Sequence, residues 1–88
     1  MKAIEVIESA KSYYLLSNDH QSKPIYIGNR IKLDFALQDI DSDMVIATTG
    51  NDKRCVILMD YSVEDLLPLT RKADQGVLRL KSKTKEVN

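Results

Sequence analysis

His20 and Cys55 each occur once in this 88-residue sequence, and they are the first pair to weigh for reactive chemistry. A nucleophilic Cys–His pair needs both side chains within hydrogen-bond reach and a thiol whose pKa is lowered. His20 stands in the polar break Ser17-Asn18-Asp19-His20-Gln21-Ser22. Cys55 stands in the apolar run Arg54-Cys55-Val56-Ile57-Leu58-Met59, where a thiol behaves as a small inert hydrophobe. The reading is a solvated loop histidine and a buried structural cysteine. One cysteine also excludes an intrachain disulfide and a cysteine-based metal cage.

Asp39-Ile40-Asp41-Ser42-Asp43 has the D-x-D-x-D form that opens a calcium loop. Such a loop needs glycine at its sixth position and a bidentate glutamate at its twelfth, and here those positions are Met44 and Gly50. The cluster is therefore expected to be a turn whose carboxylates bond nearby backbone N–H groups. Phosphate cradles need several glycines at fixed spacing, but Gly28, Gly50 and Gly76 each stand alone. Tyr26 and Phe35, flanked by Arg30 and Lys32, are a faint version of the aromatic platform of single-strand nucleic-acid binders. Their spacing fits core packing better. No acid, base and nucleophile converge, so an enzyme is not expected, and no metal or cofactor is called for.

One charged feature remains. Residues 1–70 carry a net charge of −4 and residues 71–88 a net charge of +4, within a chain that is neutral overall. Arg71, Lys72, Arg79, Lys81, Lys83 and Lys85 are the candidate contacts for phosphates or an acidic partner. The plainer reading is a solvated basic terminus, and the acidic body opposes DNA within a Debye length. Nucleic acid is therefore a less favoured partner.

These residues need elements to hold them. Ala3, Ile4, Ile7, Ala10 and Tyr14 recur with a period near 3.6, which predicts an N-terminal helix whose end is packed through Tyr13-Tyr14-Leu15-Leu16. Pro24-Ile25-Tyr26-Ile27 reads as a strand opened by proline. After the turn signal Gly28-Asn29, the alternation of Ile31, Leu33 and Phe35 with Lys32 and Asp34 predicts a second strand, making a hairpin of 24–27 and 31–35. Met44–Thr49 and Arg54–Met59 form another hairpin about Gly50-Asn51-Asp52-Lys53. Both runs are apolar on both faces. Ser62 is placed to cap a helix carrying Glu64 and Asp65 in its first turn, and Pro68 is expected to stop it after about one turn. Val77-Leu78-Arg79-Leu80 is expected to be a last edge strand.

The expected fold class is α+β: an N-terminal helix packed on a small curled antiparallel sheet, or partial barrel, of four to five strands, with a short helix near 62–67. Residues 1–80 form the single domain, and 81–88 are a basic, mobile C-terminal tail. Hydrophobic residues at 43% can support a core, though a domain this short has a thin stability margin. No run approaches the ~18 apolar residues of a membrane span. The opening Met1-Lys2-Ala3-Ile4-Glu5 lacks the apolar stretch of a signal peptide, so a cytoplasmic protein without membrane contact is expected.

Two segments resemble the H-type small acid-soluble spore protein family. Ala3-Ile4-Glu5-Val6-Ile7-Glu8-Ser9 is similar to that family's opening Ala-Lys-Glu-Ile-Val-Glu-Ser, and Lys23-Pro24-Ile25-Tyr26-Ile27 to its X-Pro-Ile-Tyr/Trp-Ile strand. Val45-Ile46-Ala47, Val56-Ile57-Leu58, Val63, Leu66 and Leu67 match its later strands and closing motif more loosely. Residues 29–43 are longer than the family's stretch, and 68–88 are an addition. The resemblance implies a minor protein of the spore core, made during sporulation, with no enzymatic activity and no catalytic residues to carry over.

The sequence thus points to a non-enzymatic structural or interaction protein. The alternative is a small module binding nucleic acid or an acidic partner through its basic C-terminal segment. A homodimer is a further expectation, because a chain this short cannot cover every sheet edge.

Overall fold

The computed structural model describes residues 9–20 and 22–87, the last seven by backbone alone. The chain is α+β: a four-stranded mixed sheet covered on one face by two helices. Strands β1 (Ser12–Leu16) and β2 (Ile25–Gly28) precede helix α1 (Arg30–Ala36), and a 3-10 turn at Ser42–Met44 leads into β3 (Val45–Gly50), β4 (Arg54–Met59) and helix α2 (Val63–Val87). The sheet order is β2-β1-β4-β3, with β1 parallel to β4 and both outer pairs antiparallel.

This arrangement corrects the expected N-terminal helix on an antiparallel sheet. Residues 3–8 of that expected helix lie outside the described residues, but its second half, Ser12–Leu16, is the central strand β1. Tyr14 fits a helical stripe, yet Tyr13, Leu15 and Ser17 also alternate with Ser12, Tyr14 and Leu16. Pairing on both sides, with β2 and β4, decides for the strand. Tyr13 and Leu15 then sit fully buried beneath the helices. The Tyr13 hydroxyl, buried with its ring, accepts the Ala10 N–H at 2.7 Å and also bonds the Arg30 side chain. Partial burial pulls the Arg30 guanidinium down, but its bonds to Tyr13 and Asp34 outweigh this and hold it above its ordinary value.

The expected strand at 31–35 is helix α1, so the hairpin of 24–27 with 31–35 does not form; β2 pairs with β1 instead. The reason lies in Asn29. It is a helix cap, its side chain accepting the Lys32 N–H at 3.1 Å, and Leu33, Ala36 and Leu37 take the buried positions at helical spacing. Arg30 and Asp34 add an i,i+4 ion pair at 3.0 Å.

The second hairpin forms at the expected residues. Asn51 closes it, donating its N–H to the Arg54 carbonyl at 2.8 Å while its side chain accepts from Lys53 and Arg54. The two strands are not equally buried, however. Cys55, Ile57 and Met59 of β4 alternate into the core, whereas β3 is exposed from Ile46 to Gly50. The D-x-D-x-D segment enters β3 through the 3-10 turn, and Asp41 makes no side-chain cap there.

Helix α2 begins where expected but does not stop at Pro68, and its path through 77–80 replaces the expected edge strand. Ser62 and Asp65 form a reciprocal cap: the Asp65 N–H donates to Ser62 Oγ at 3.3 Å, and the Ser62 N–H to Asp65 Oδ2 at 3.4 Å. Asp19 accepts the Val63 N–H at 3.3 Å. Pro68 sits in the second turn, and the backbone bond its missing N–H forgoes would reach Glu64, an exposed residue that water can satisfy. Leu66 and Ala73 are buried further along, and Gly76 lies against the Phe35 ring, where a Cβ would collide with it. That contact locks α2 to α1.

Candidate interaction face

Alternation along the strands puts half of each one on the sheet face that the helices leave uncovered. Register aligns Tyr26, Tyr14, Val56 and Thr49 in one row, and Leu16, Leu58 and Ala47 in the next. Ser12 and Arg54 close one end of this face. Tyr14 and Tyr26 meet edge to face with ring centroids 5.4 Å apart, a favoured geometry for aromatic pairs. Tyr26 is 60% exposed and Ile46, at the bulge between Val45 and Ala47, is 53% exposed. Among the described residues, both helices lie on the opposite side. The result is a contiguous strip that is aromatic at one end, aliphatic in the middle and hydroxylated at the β3 edge.

Most of this face was hidden in the sequence by the helical reading of Tyr14. Tyr26 was expected in the core together with Phe35. The structure separates them, with Tyr26 on the open face and Phe35 against α2. The signal that finds the face is the alternation Ser12-Tyr13-Tyr14-Leu15-Leu16, once it is read at period two.

Among the described side chains, the basic residues of α2 stand in different surroundings. Lys72 is engaged by Asp39, its Nζ 2.9 Å from Oδ2. Arg71 and Arg79 are exposed on α2 with Asp74 between them, and Lys32 reaches Asp74 at 3.3 Å. Lys81, Lys83 and Lys85 lie in the last turns of the α2 backbone. At 3.6 residues per turn the six positions fall within an arc of about 200° on the side of α2 turned away from buried Leu66 and Ala73.

The reactive candidates are apart. Cys55 lies opposite Tyr13 at the start of β1 and is buried, whereas His20 follows the end of β1 and is exposed. The His20 backbone N–H donates to the buried Ser17 hydroxyl at 3.0 Å, which makes that loop a turn. Among the described residues, no group of three His, Cys, Asp or Glu side chains is placed to hold a metal ion, and no helix is long and apolar enough to cross a membrane. Compared with known proteins, the chain matches no family model, no curated protein and no solved structure.

Proposed function

We propose that this chain is a non-catalytic interaction module that binds a protein partner through the uncovered sheet face. The observation that carries the reading is the strip in which exposed Tyr26 adjoins half-buried Tyr14, Leu16, Val56 and Leu58 on the face away from both helices. A contiguous apolar surface on so small a domain is a binding surface more often than decoration. Its aromatic end offers large contact area at little entropic cost, as in protein interfaces generally. The separation of His20 from Cys55 removes the one Cys–His pair on which a catalytic reading could have been built. The test is a photoreactive phenylalanine at position 26, with a second at position 79 as comparison, used in extract of the native host. A crosslink formed from position 26 and lost on adding Leu58→Lys supports the reading; crosslinks formed only from position 79 reject it.

A second reading uses Arg71 and Arg79, which among the described residues are the basic side chains that stand exposed on α2. Contacts to phosphate would weaken steeply as salt rises. Salt-sensitive capture of nucleic acid that is lost in an Arg71→Glu, Arg79→Glu double variant would favour it.

The resemblance of residues 3–9 and 23–27 to the H-type spore proteins adds a setting: a minor constituent of the cytoplasm that becomes the spore core. Expression confined to sporulating cells supports that setting, and a host that never forms spores removes it.

A further inference from the structure

We propose that two copies of this chain associate through their β3 edges, antiparallel about a two-fold axis near Thr48, to form one continuous eight-stranded sheet. This goes beyond the face proposed above and stands on different residues.

Three observations carry it. First, β3 is an edge strand with little protection. It is last in the sheet order, exposed from Ile46 to Gly50, and reads Val-Ile-Ala-Thr-Thr-Gly with no charge and no proline. Natural edges are usually blunted by lysine, proline or a covering element. Among the described residues the one such device is the bulge between Val45 and Ala47, and it leaves Ala47–Gly50 regularly paired to β4. Second, the outer edge has backbone groups to offer. The Asn51 N–H bonds Arg54, so the paired residues alternate back from the turn and the backbone groups of Thr48 point away from β4. Third, the charges at the two ends of β3 are complementary. Asp41 and Asp43 precede it, while Lys53 and Arg54 follow it. The backbone of Lys11 bonds Asp52 at the same end, adding a third basic residue against that one acid. Parallel association would set acid against acid. Antiparallel pairing about Thr48 instead sets Asp43 of one copy beside Lys53 of the other, twice by symmetry.

The arrangement has a consequence for the open face. A two-fold axis perpendicular to the sheet keeps both uncovered faces on one side. The row Tyr26-Tyr14-Val56-Thr49 of one copy then meets the row Ala47-Leu58-Leu16 of the other, extending the apolar strip across the axis without burying it.

The experiment is sedimentation equilibrium of the full chain from 5 to 500 µM, with circular dichroism to confirm folding. The wild type is expected to dimerise in that range. Thr48→Lys changes an exposed residue and opposes two lysines across the axis, so it should raise the dimer dissociation constant at least tenfold. Asp43→Lys should raise it about fivefold at low salt, and adding Lys53→Asp should restore it to within about twofold of the wild type. That rescue is specific to antiparallel edge pairing. A wild-type monomer at 500 µM overturns the proposal. So does a dimer indifferent to Thr48→Lys but dissociated by Tyr26→Lys, which would place the contact on the open face and leave the interaction module itself intact.

Discussion

β2 and β3 are the two edges of one sheet, and the chain treats them in opposite ways. β2 runs straight into α1 through Gly28 and Asn29, so the helix folds back over its own strand and Ile27 and Gly28 are buried. β3 is reached through an extended turn and left by a tight hairpin, and no helix follows it directly. Both helices therefore anchor over the β2–β1 half, and β3 is bare on its faces as well as its edge. The difference teaches how a chain of this size allots its apolar residues. It cannot cover both sides of a four-stranded sheet, so one half becomes a core and the other a surface.

The sharpest way to break this comparison is at one cross-strand pair. Ile57 and Thr48 face each other across β4 and β3, yet Ile57 is fully buried and Thr48 exposed. Ile57→Ala is expected to cost about 2–5 kcal/mol, enough to unfold much of a marginal domain. Thr48→Ala is expected to stay within about 0.5 kcal/mol. Urea unfolding of the two variants measures both, and comparable losses would mean that β3 is covered after all.

The covered half is next tested where its two helices touch. Replacing Gly76 by alanine should gain about 1 kcal/mol in helix propensity. The new Cβ would run into the Phe35 ring, however, and overpacking of this kind costs about 1–3 kcal/mol. The expected net result is a loss of about 1 kcal/mol, reversed in part by Phe35→Leu in the same chain. A simple gain in stability would show that the ring yields freely.

That glycine also shows which parts of the fold were legible in the sequence. Gly76 reads as a break when only local preference is considered, and as a contact once α1 is known to lie beside it. The β3–β4 hairpin was legible because Gly50 and Asn51 impose their turn locally, Gly50 holding φ at +142° where a side chain would meet the Arg54 carbonyl. The start of α2 was legible for the same reason, in Ser62. The strand β1 and the helix α1 were not. Ser12–Leu16 and Arg30–Ala36 each satisfy both periodicities over a few residues, and the choice is made by partners distant in sequence. The open face followed β1 into error, because Tyr14 can be placed on it only after β1 is known to be a strand. The basic cluster was legible as composition, but the Asp39 that engages Lys72 was not.

The start of α2 offers a smaller test. Ser62→Ala removes the cap oxygen that accepts the Asp65 N–H and is expected to cost about 1 kcal/mol, while Ser62→Asp should retain most of the stability. Thermal unfolding followed at 222 nm distinguishes them. A neutral alanine would mean that Asp19, which accepts the Val63 N–H, is sufficient to hold this helix end.

The smallest effect is expected at the ion pair between Lys72 and Asp39, and it bears most directly on the comparison. This pair ties α2, the longest element of the covered half, to the segment that leads into β3. Its geometry is good, but the two side chains are 36% and 71% exposed, so water screens most of the attraction. Lys72→Met keeps the aliphatic stem over the helix and removes only the charge. The expected cost is at most about 0.5 kcal/mol at low salt and close to nothing in 0.5 M salt, with Arg71→Met as an exposed control. Denaturant midpoints at the two salt concentrations measure it. A loss near 2 kcal/mol that survives high salt would make the pair a clasp on which the placement of β3 depends. The bare half would then be held in position by charge rather than by its pairing to β4 alone.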